Sequence, residues 1–155
     1  MKDDVIPLID PMRARLPDGF DSTLVLPLLR RIQDERGYVS DQDVDAVATE
    51  AKVPRVQVEE VLSFYSMFRR APIGRHHVQV CRNVSCSLRG AERLIDHVCK
   101  HMGVQMGETT PDGRVTLGTV ECLGSCGTAP VVVIDDAYHE NVSAESLDKL
   151  IDGLA

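Results

Sequence analysis

Apolar residues recur at helical intervals through the first half of the chain and switch to strand-like alternation in the second. Between Ser22 and Arg36, Leu24, Leu28, Leu29 and Ile32 share one face of a 3.6-residue period, which predicts a helix with Ser22 as N-cap and Gly37 as stop. Pro27 sits late for a first-turn proline of that helix. Ser40-Asp41-Gln42-Asp43 resembles a capping box with Asp in place of Glu, and Val44, Val47, Ala48 and Ala51 follow at helical spacing. Pro54 then opens a third helix from its first turn, carrying Val58, Val61, Leu62, Tyr65 and Phe68. Residues 22 to 70 read as a three-helix bundle, preceded over residues 1 to 20 by an extended arm with three prolines.

Ala71-Pro72-Ile73-Gly74 reads as a linker, so the expected division is 1–70, arm and bundle, and 71–155, a second domain. His77 to Cys81 alternates like a strand, and Cys81 to Cys86 forms a loop. A helix follows from about Leu88 to Met102 with Ala91, Leu94, Ile95 and Val98 inward. After the Thr110-Pro111-Asp112-Gly113 turn, Arg114 to Val120 alternates again; Cys122 to Thr128 is a glycine-rich loop, and Pro130 to Ile134 a buried strand. Ser143-x-x-Ser146 opens a last helix to Leu154. The order β-α-β-β-α is a compact α/β arrangement able to form a thioredoxin-like half sandwich, with both cysteine-bearing loops following strands.

Charge narrows the function. The net charge of −7 is spread over both halves, which removes the basic footprint of a nucleic-acid binder. The last two helices of the bundle can pass for a helix-turn-helix, but Glu59 and Glu60 lie on the would-be recognition helix. An acidic, proline-punctuated N-terminus lacks the pattern of a signal peptide, and no stretch approaches the roughly 20 apolar residues of a membrane span. The expectation is a cytoplasmic protein whose membrane association, if any, runs through a partner.

Four of the five cysteines form two pairs, Cys81-x4-Cys86 and Cys122-x3-Cys126. In a reducing compartment they read as metal ligands, and a binuclear iron-sulfur centre takes four thiolates, two on each iron. Gly124 and Gly127 allow backbone to approach a cluster closely, and Asn83, Ser85 and Ser87 are small polar companions of the first pair. A structural zinc site can use the same four thiolates, and spacing alone does not exclude it. A dithiol exchange motif needs Cys-x-x-Cys, which is absent, and His76 and His77 are poorly placed for a Rieske centre because they precede Cys81 on a strand. Cys99 reads as a small core residue, and His97 and His101, four apart on a helix, as a solvated face lacking a third ligand. His139 reads as a hairpin residue. Phe64-Tyr65-Ser66-Met67-Phe68 is either bundle core or a docking face.

These residues also carry a resemblance. Phe64 to Phe68, Pro72-Ile73-Gly74-Arg75-His76-His77-Val78-Gln79-Val80-Cys81, Cys86, Thr110 to Leu117 and Val120-Glu121-Cys122-Leu123-Gly124-Ser125-Cys126 resemble the so-called 24 kDa subunit of NADH:quinone oxidoreductase (respiratory complex I). The same subunit type serves as gamma subunit in NAD-dependent formate dehydrogenases and in NAD-linked hydrogenases. The resemblance implies a thioredoxin-like 2Fe-2S ferredoxin domain behind a helical bundle that packs on a larger flavin-bearing, NADH-oxidising subunit. It implies Cys81 and Cys86 on one iron and Cys122 and Cys126 on the other. FMN and NADH are then expected on the partner, since no G-x-G-x-x-G follows a strand here. Such a chain exchanges single electrons, is not catalytic alone, and reaches further iron-sulfur subunits through its partner. Within complex I the family's cluster lies aside from the main electron chain.

Overall fold

The computed structural model describes residues 10–154. The chain divides between Pro72 and Ile73 into two compact units. Of the expected arm, residues 1–9 lie outside the described residues. The rest is not extended: a single turn, α1 (Asp10–Arg13), delivers Arg13 to Asp21 and to the carboxylate and carbonyl of Glu50.

In the first unit a 3-10 turn (Asp21–Leu24) runs directly into α2 (Val25–Arg36), so Ser22 caps nothing. This moves the helix start to Val25 and places Pro27 in the first turn, where its missing N–H would have found no helical partner anyway. Gly37 ends the helix in the left-handed conformation, φ 82°, donating to the Gln33 carbonyl. α3 (Asp41–Glu50) starts with the expected box: the Asp43 amide donates to Ser40 Oγ, and Asp43 Oδ2 accepts from the Ser40 amide. Buried Asp43 also takes Arg36 as partner. α4 (Arg55–Phe64) has Pro54 as its N-cap instead of its first turn, and it ends before Tyr65 and Phe68, which the apolar period assigns to it. Leu24, Leu28, Leu29, Ile32, Val44, Val47, Val58 and Leu62 form the core.

The aromatic run splits between its two readings. Phe68 is core, but Phe64 is 79% exposed and Tyr65 and Met67 also reach solvent. The turn that presents them is held from beneath by buried Gln33, whose amide donates to the Met67 carbonyl (2.9 Å) and accepts from the Arg69 amide (2.7 Å).

The second unit is a four-stranded sheet in the order β2-β1-β3-β4, made of β1 (His76–Cys81), β2 (Val115–Val120), β3 (Val132–Ile134) and β4 (Ala137–His139). β1 and β2 are parallel, while β1–β3 and β3–β4 are antiparallel. β4 is an extra strand beyond the three expected, and it carries His139 in the hairpin as read. The helix predicted from about Leu88 begins at Ala91 as α6 (Ala91–Met102), and a separate short helix, α5 (Val84–Leu88), precedes it, with Gly90 at φ 97° between them. Cys86 therefore sits on a short helix and not in a loop. Ser143 and Ser146 cap α7 (Ala144–Asp152) reciprocally. The core joins Val78, Val80, Leu94, Val98, Leu117, Leu147 and Ile151, with half-buried Cys99 packed against it. This is the thioredoxin-like arrangement.

Candidate metal centre

Parallel pairing of β1 and β2 does the first part of the assembly. In register, Cys81 at the end of β1 lies opposite Val120 at the end of β2, so the chain leaving β2 carries Glu121 and Cys122 past Cys81. The Arg82 amide donates to the Val120 carbonyl (3.0 Å), and the Cys81 thiol faces the Glu121 carbonyl at 3.8 Å. On the other side of Cys81, its amide donates to the Val131 carbonyl (3.0 Å), which ties it to the segment that enters β3. Cys126 opens the 3-10 turn Cys126–Thr128 between these two attachments.

α5 supplies the fourth thiol. Its start is pinned by Ser87 Oγ donating to the Arg82 carbonyl (3.0 Å), and its end by Arg89 Nε donating to the Ala129 carbonyl (3.3 Å). Ser87 therefore acts on backbone and not on sulfur. Cys86 is 2% exposed and Cys81 3%, whereas Cys122 and Cys126 are exposed. Burial pushes the Cys86 thiol up from its ordinary pKa; its hydrogen bond with Cys81 and the nearby Cys81 and Cys126 thiols push the same way, against a backbone hydrogen bond at Val131. Cys81 and Cys86 share one apolar core. Cys122 joins them through strand register, two residues past the rung that pairs Cys81 with Val120.

The donor set fits an iron-sulfur group. None of the five cysteines is in a disulfide. Among the described residues no group of three or more His, Cys, Asp or Glu side chains is arranged to hold a metal ion, the thiols included. The group nevertheless has what such a cofactor uses: thiols from four positions of one sheet end, a backbone hydrogen bond toward sulfur, and open space, since a Cβ built on Gly124 or Gly127 meets nothing within 4 Å. Gly124 is required for its backbone as well, at φ 80°. Four thiolates supply enough negative charge to hold ferric iron, and the raised Cys86 pKa means that metal must displace its proton.

The histidines stand elsewhere. His76 begins the strand that Cys81 ends, about 17 Å away at about 3.3 Å per residue, and its ring bonds Asp135 at 2.8 Å. A Rieske ligand set is thereby ruled out by placement. Cys99, on α6, packs into the core as expected. What the spacing did not reveal is the surface ion pair of Arg82 Nη2 with Glu121 Oε1 at 2.9 Å; the only signal was that each residue adjoins a cysteine in sequence.

Comparisons with known proteins identify the family. Residues 10–155 match the family model of the thioredoxin-like [2Fe-2S] ferredoxins. The chain is 44% identical over 144 residues to a subunit of the NADH-quinone oxidoreductase of Rhizobium meliloti (strain 1021), covering 93% of this chain and 84% of that one. It is 39% identical over 153 residues to NADH-quinone oxidoreductase subunit 2 of Thermus thermophilus, covering 98% and 84%. Among solved structures, an NAD+-reducing [NiFe]-hydrogenase in its air-oxidized state matches with TM-score 0.69 and 25% identity, over 82% of this chain but only 22% of the hydrogenase chain. Fold and relatives converge: this chain belongs to the thioredoxin-like [2Fe-2S] ferredoxin family, and its cofactor is a 2Fe-2S cluster.

Proposed function

We propose that this chain is the electron-transfer subunit of an NADH dehydrogenase module, that of NADH:quinone oxidoreductase, with Cys81, Cys86, Cys122 and Cys126 as the four cluster thiolates. The observation that supports the ligand assignment is the register of β1 with β2, which brings Cys81, packed in one core with Cys86, to the segment that leads into Cys122. The relatives, NADH-quinone oxidoreductase subunits matched over most of their length, support the enzyme assignment. The hydrogenase likeness supports a second reading, the equivalent subunit of an NAD-linked hydrogenase or formate dehydrogenase.

A bound 2Fe-2S cluster takes up and returns one electron at a time without making or breaking bonds to substrate. The chain's own residues set the conditions. Cys81 and Cys86, in an apolar core, keep water from one side, while Cys122 and Cys126 stand at the surface. Val131 backbone and the Arg82–Glu121 pair place dipole and charge beside the thiolates. The partner in this reading is a flavin-bearing, NADH-oxidising subunit whose FMN turns a hydride into single electrons. The exposed Phe64, Tyr65 and Met67 suit its docking, since aromatics and Met are enriched in protein interfaces. Among the described residues no helix is long and apolar enough to cross a membrane.

Anaerobic purification with iron, sulfide and zinc analysis tests the ligands. The wild-type chain is expected to be coloured, with iron and sulfide in equal amounts; Cys86→Ser loses cluster and Cys99→Ser keeps it. Equal loss in the two variants, or a colourless wild-type protein holding zinc, refutes the assignment. Proteins that co-purify decide between the quinone, hydrogen and formate systems.

A further inference from the structure

The loop that carries Cys122 and Cys126 is bolted down where it ends. Four successive carbonyls, those of Thr128, Ala129, Pro130 and Val131, each accept from another part of the chain. The Asn141 amide donates to Thr128 (2.7 Å), Arg89 Nε to Ala129 (3.3 Å), the Val142 amide to Pro130 (3.1 Å) and the Cys81 amide to Val131 (3.0 Å). Asn141 stands at φ 50°, a left-handed conformation that asparagine visits more readily than most side chains, and two neighbouring amides between β4 and α7 thereby face this stretch.

Just ahead of these bonds, the 3-10 turn Cys126–Thr128 is held through Thr128. Its amide donates to the Ser125 carbonyl (3.2 Å), and its hydroxyl has two acceptors within reach, Glu140 Oε1 at 2.7 Å and the same Ser125 carbonyl at 3.1 Å. A hydroxyl has one proton to give. The carboxylate oxygen is the nearer acceptor and the charged one, and charge-assisted O–H···O bonds are the short, strong ones. The proton therefore goes to Glu140, which ties the turn to the segment after β4.

We propose that Thr128 and Glu140 are positioning residues for the 2Fe-2S cluster: by capturing the Thr128 hydroxyl, Glu140 fixes the turn that Cys126 opens and so holds the Cys126 thiolate toward iron. This role rests on Cys126 being a cluster thiolate, as proposed for the function of the chain. Cys81 and Cys86 are set by the core, at 3% and 2% exposed, but Cys126 stands at the surface, and a Cβ built on the adjoining Gly127 meets nothing within 4 Å. Apolar packing secures the loop only to either side, through Leu123 against the core and through buried Ala129. Between them Thr128 is half-buried and Glu140 exposed, so the pair contributes direction to a polar turn and little to the core. Outer partners of this kind orient metal ligands and slow their release.

The cluster-loaded, full-length protein is mixed anaerobically with excess iron chelator, and bleaching of the visible absorption gives the rate of cluster loss. Thr128→Val, which keeps the shape and removes the hydroxyl, and Glu140→Ala are each expected to lose the cluster about three- to tenfold faster than wild type. Both should also alter the visible circular dichroism of the bound cluster, a signature of ligand geometry that a change in global stability does not move. Thr128→Ser restores the wild-type rate, and Glu140→Gln, which keeps an acceptor without the charge, falls between wild type and Glu140→Ala. The double variant Thr128→Val with Glu140→Ala is no faster than either single one, because both remove the same bond. Wild-type rates in Thr128→Val and Glu140→Ala, beside loss of cluster in Cys126→Ser, overturn the positioning role and leave the ligand assignment standing. Accelerations that multiply in the double variant overturn the pairing of the two residues. A Cys126→Ser chain that loads and holds its cluster as wild type does overturns both readings.

Discussion

Replacing Gln33 by Leu removes two hydrogen bonds while keeping a side chain of similar size in a buried position. Gln33 is 7% exposed and holds the Met67 carbonyl at 2.9 Å and the Arg69 amide at 2.7 Å. Each bond contributes about 0.5–1.5 kcal/mol net, so the loss is about 1–3 kcal/mol where the freed backbone groups reach water, and more where they do not. For a chain of this size that is about 2–4 °C of thermal midpoint per kcal/mol. The loss should also act beyond stability, because the two bonds hold the backbone at Met67 and Arg69, in the segment that follows Phe64 and Tyr65. Urea denaturation followed by far-UV circular dichroism, dominated in the first unit by α2, α3 and α4, measures the first effect. Affinity for the flavin-bearing subunit proposed as partner, in a pull-down titration, measures the second. A variant with unchanged denaturation midpoint refutes the clamp. One that is destabilised but binds the partner with wild-type affinity refutes the link between the clamp and docking.

Three further outcomes are expected. Gly37→Ala places a Cβ on backbone at φ 82°, where nothing within 4 Å obstructs it, so the cost is conformational strain alone, about 1–2 kcal/mol by chemical denaturation. Asp135 is pushed up by burial but held below the usual carboxylate range by hydrogen bonds from His76 and the His77 amide, which outweigh it. Its contribution to stability is therefore present above the ordinary carboxylate pKa and lost as pH falls through the lowered one; the difference in stability between wild type and Asp135→Asn should shrink over that acidic window in a pH series of denaturation curves. Phe64→Ser, at a position 79% exposed, should leave the thermal midpoint almost unchanged and reduce partner affinity, because truncated interface aromatics are frequent hot spots.

Local chemistry was legible in the sequence where a residue's own side chain or backbone decides the outcome. The Ser40–Asp43 and Ser143–Ser146 boxes and the Gly37 stop are of this kind, as are the inward faces of α2 and α6. What the apolar period overran were ends set by tertiary bonds: α4 stops at Phe64 because Gln33 captures the following turn. Likewise Gly90, in a left-handed conformation, delays to Ala91 the helix that the apolar period starts near Leu88. The cysteine pairs were visible as pairs, but their union depends on β1 and β2 being parallel and in a given register, which no spacing encodes. The His97–Asp148 contact was hidden for the same reason, since its partners come from helices far apart in the chain.

The parallel pairing of β1 and β2 also determines where this chain can tolerate change in length. Everything between Cys86 and Val115, including α6 and the Thr110–Gly113 turn, is a crossover whose length does not fix the rung joining Cys81 to Val120. Residues could be gained or lost in its surface turns without displacing either thiol pair. The step from Val120 to Cys122 has no such freedom: one inserted residue would carry Cys122 about 3.3 Å farther along the chain from the rung at Cys81. Variation among functional versions of this chain should therefore fall as insertions in the crossover and almost never in the short stretch from β2 to Cys126.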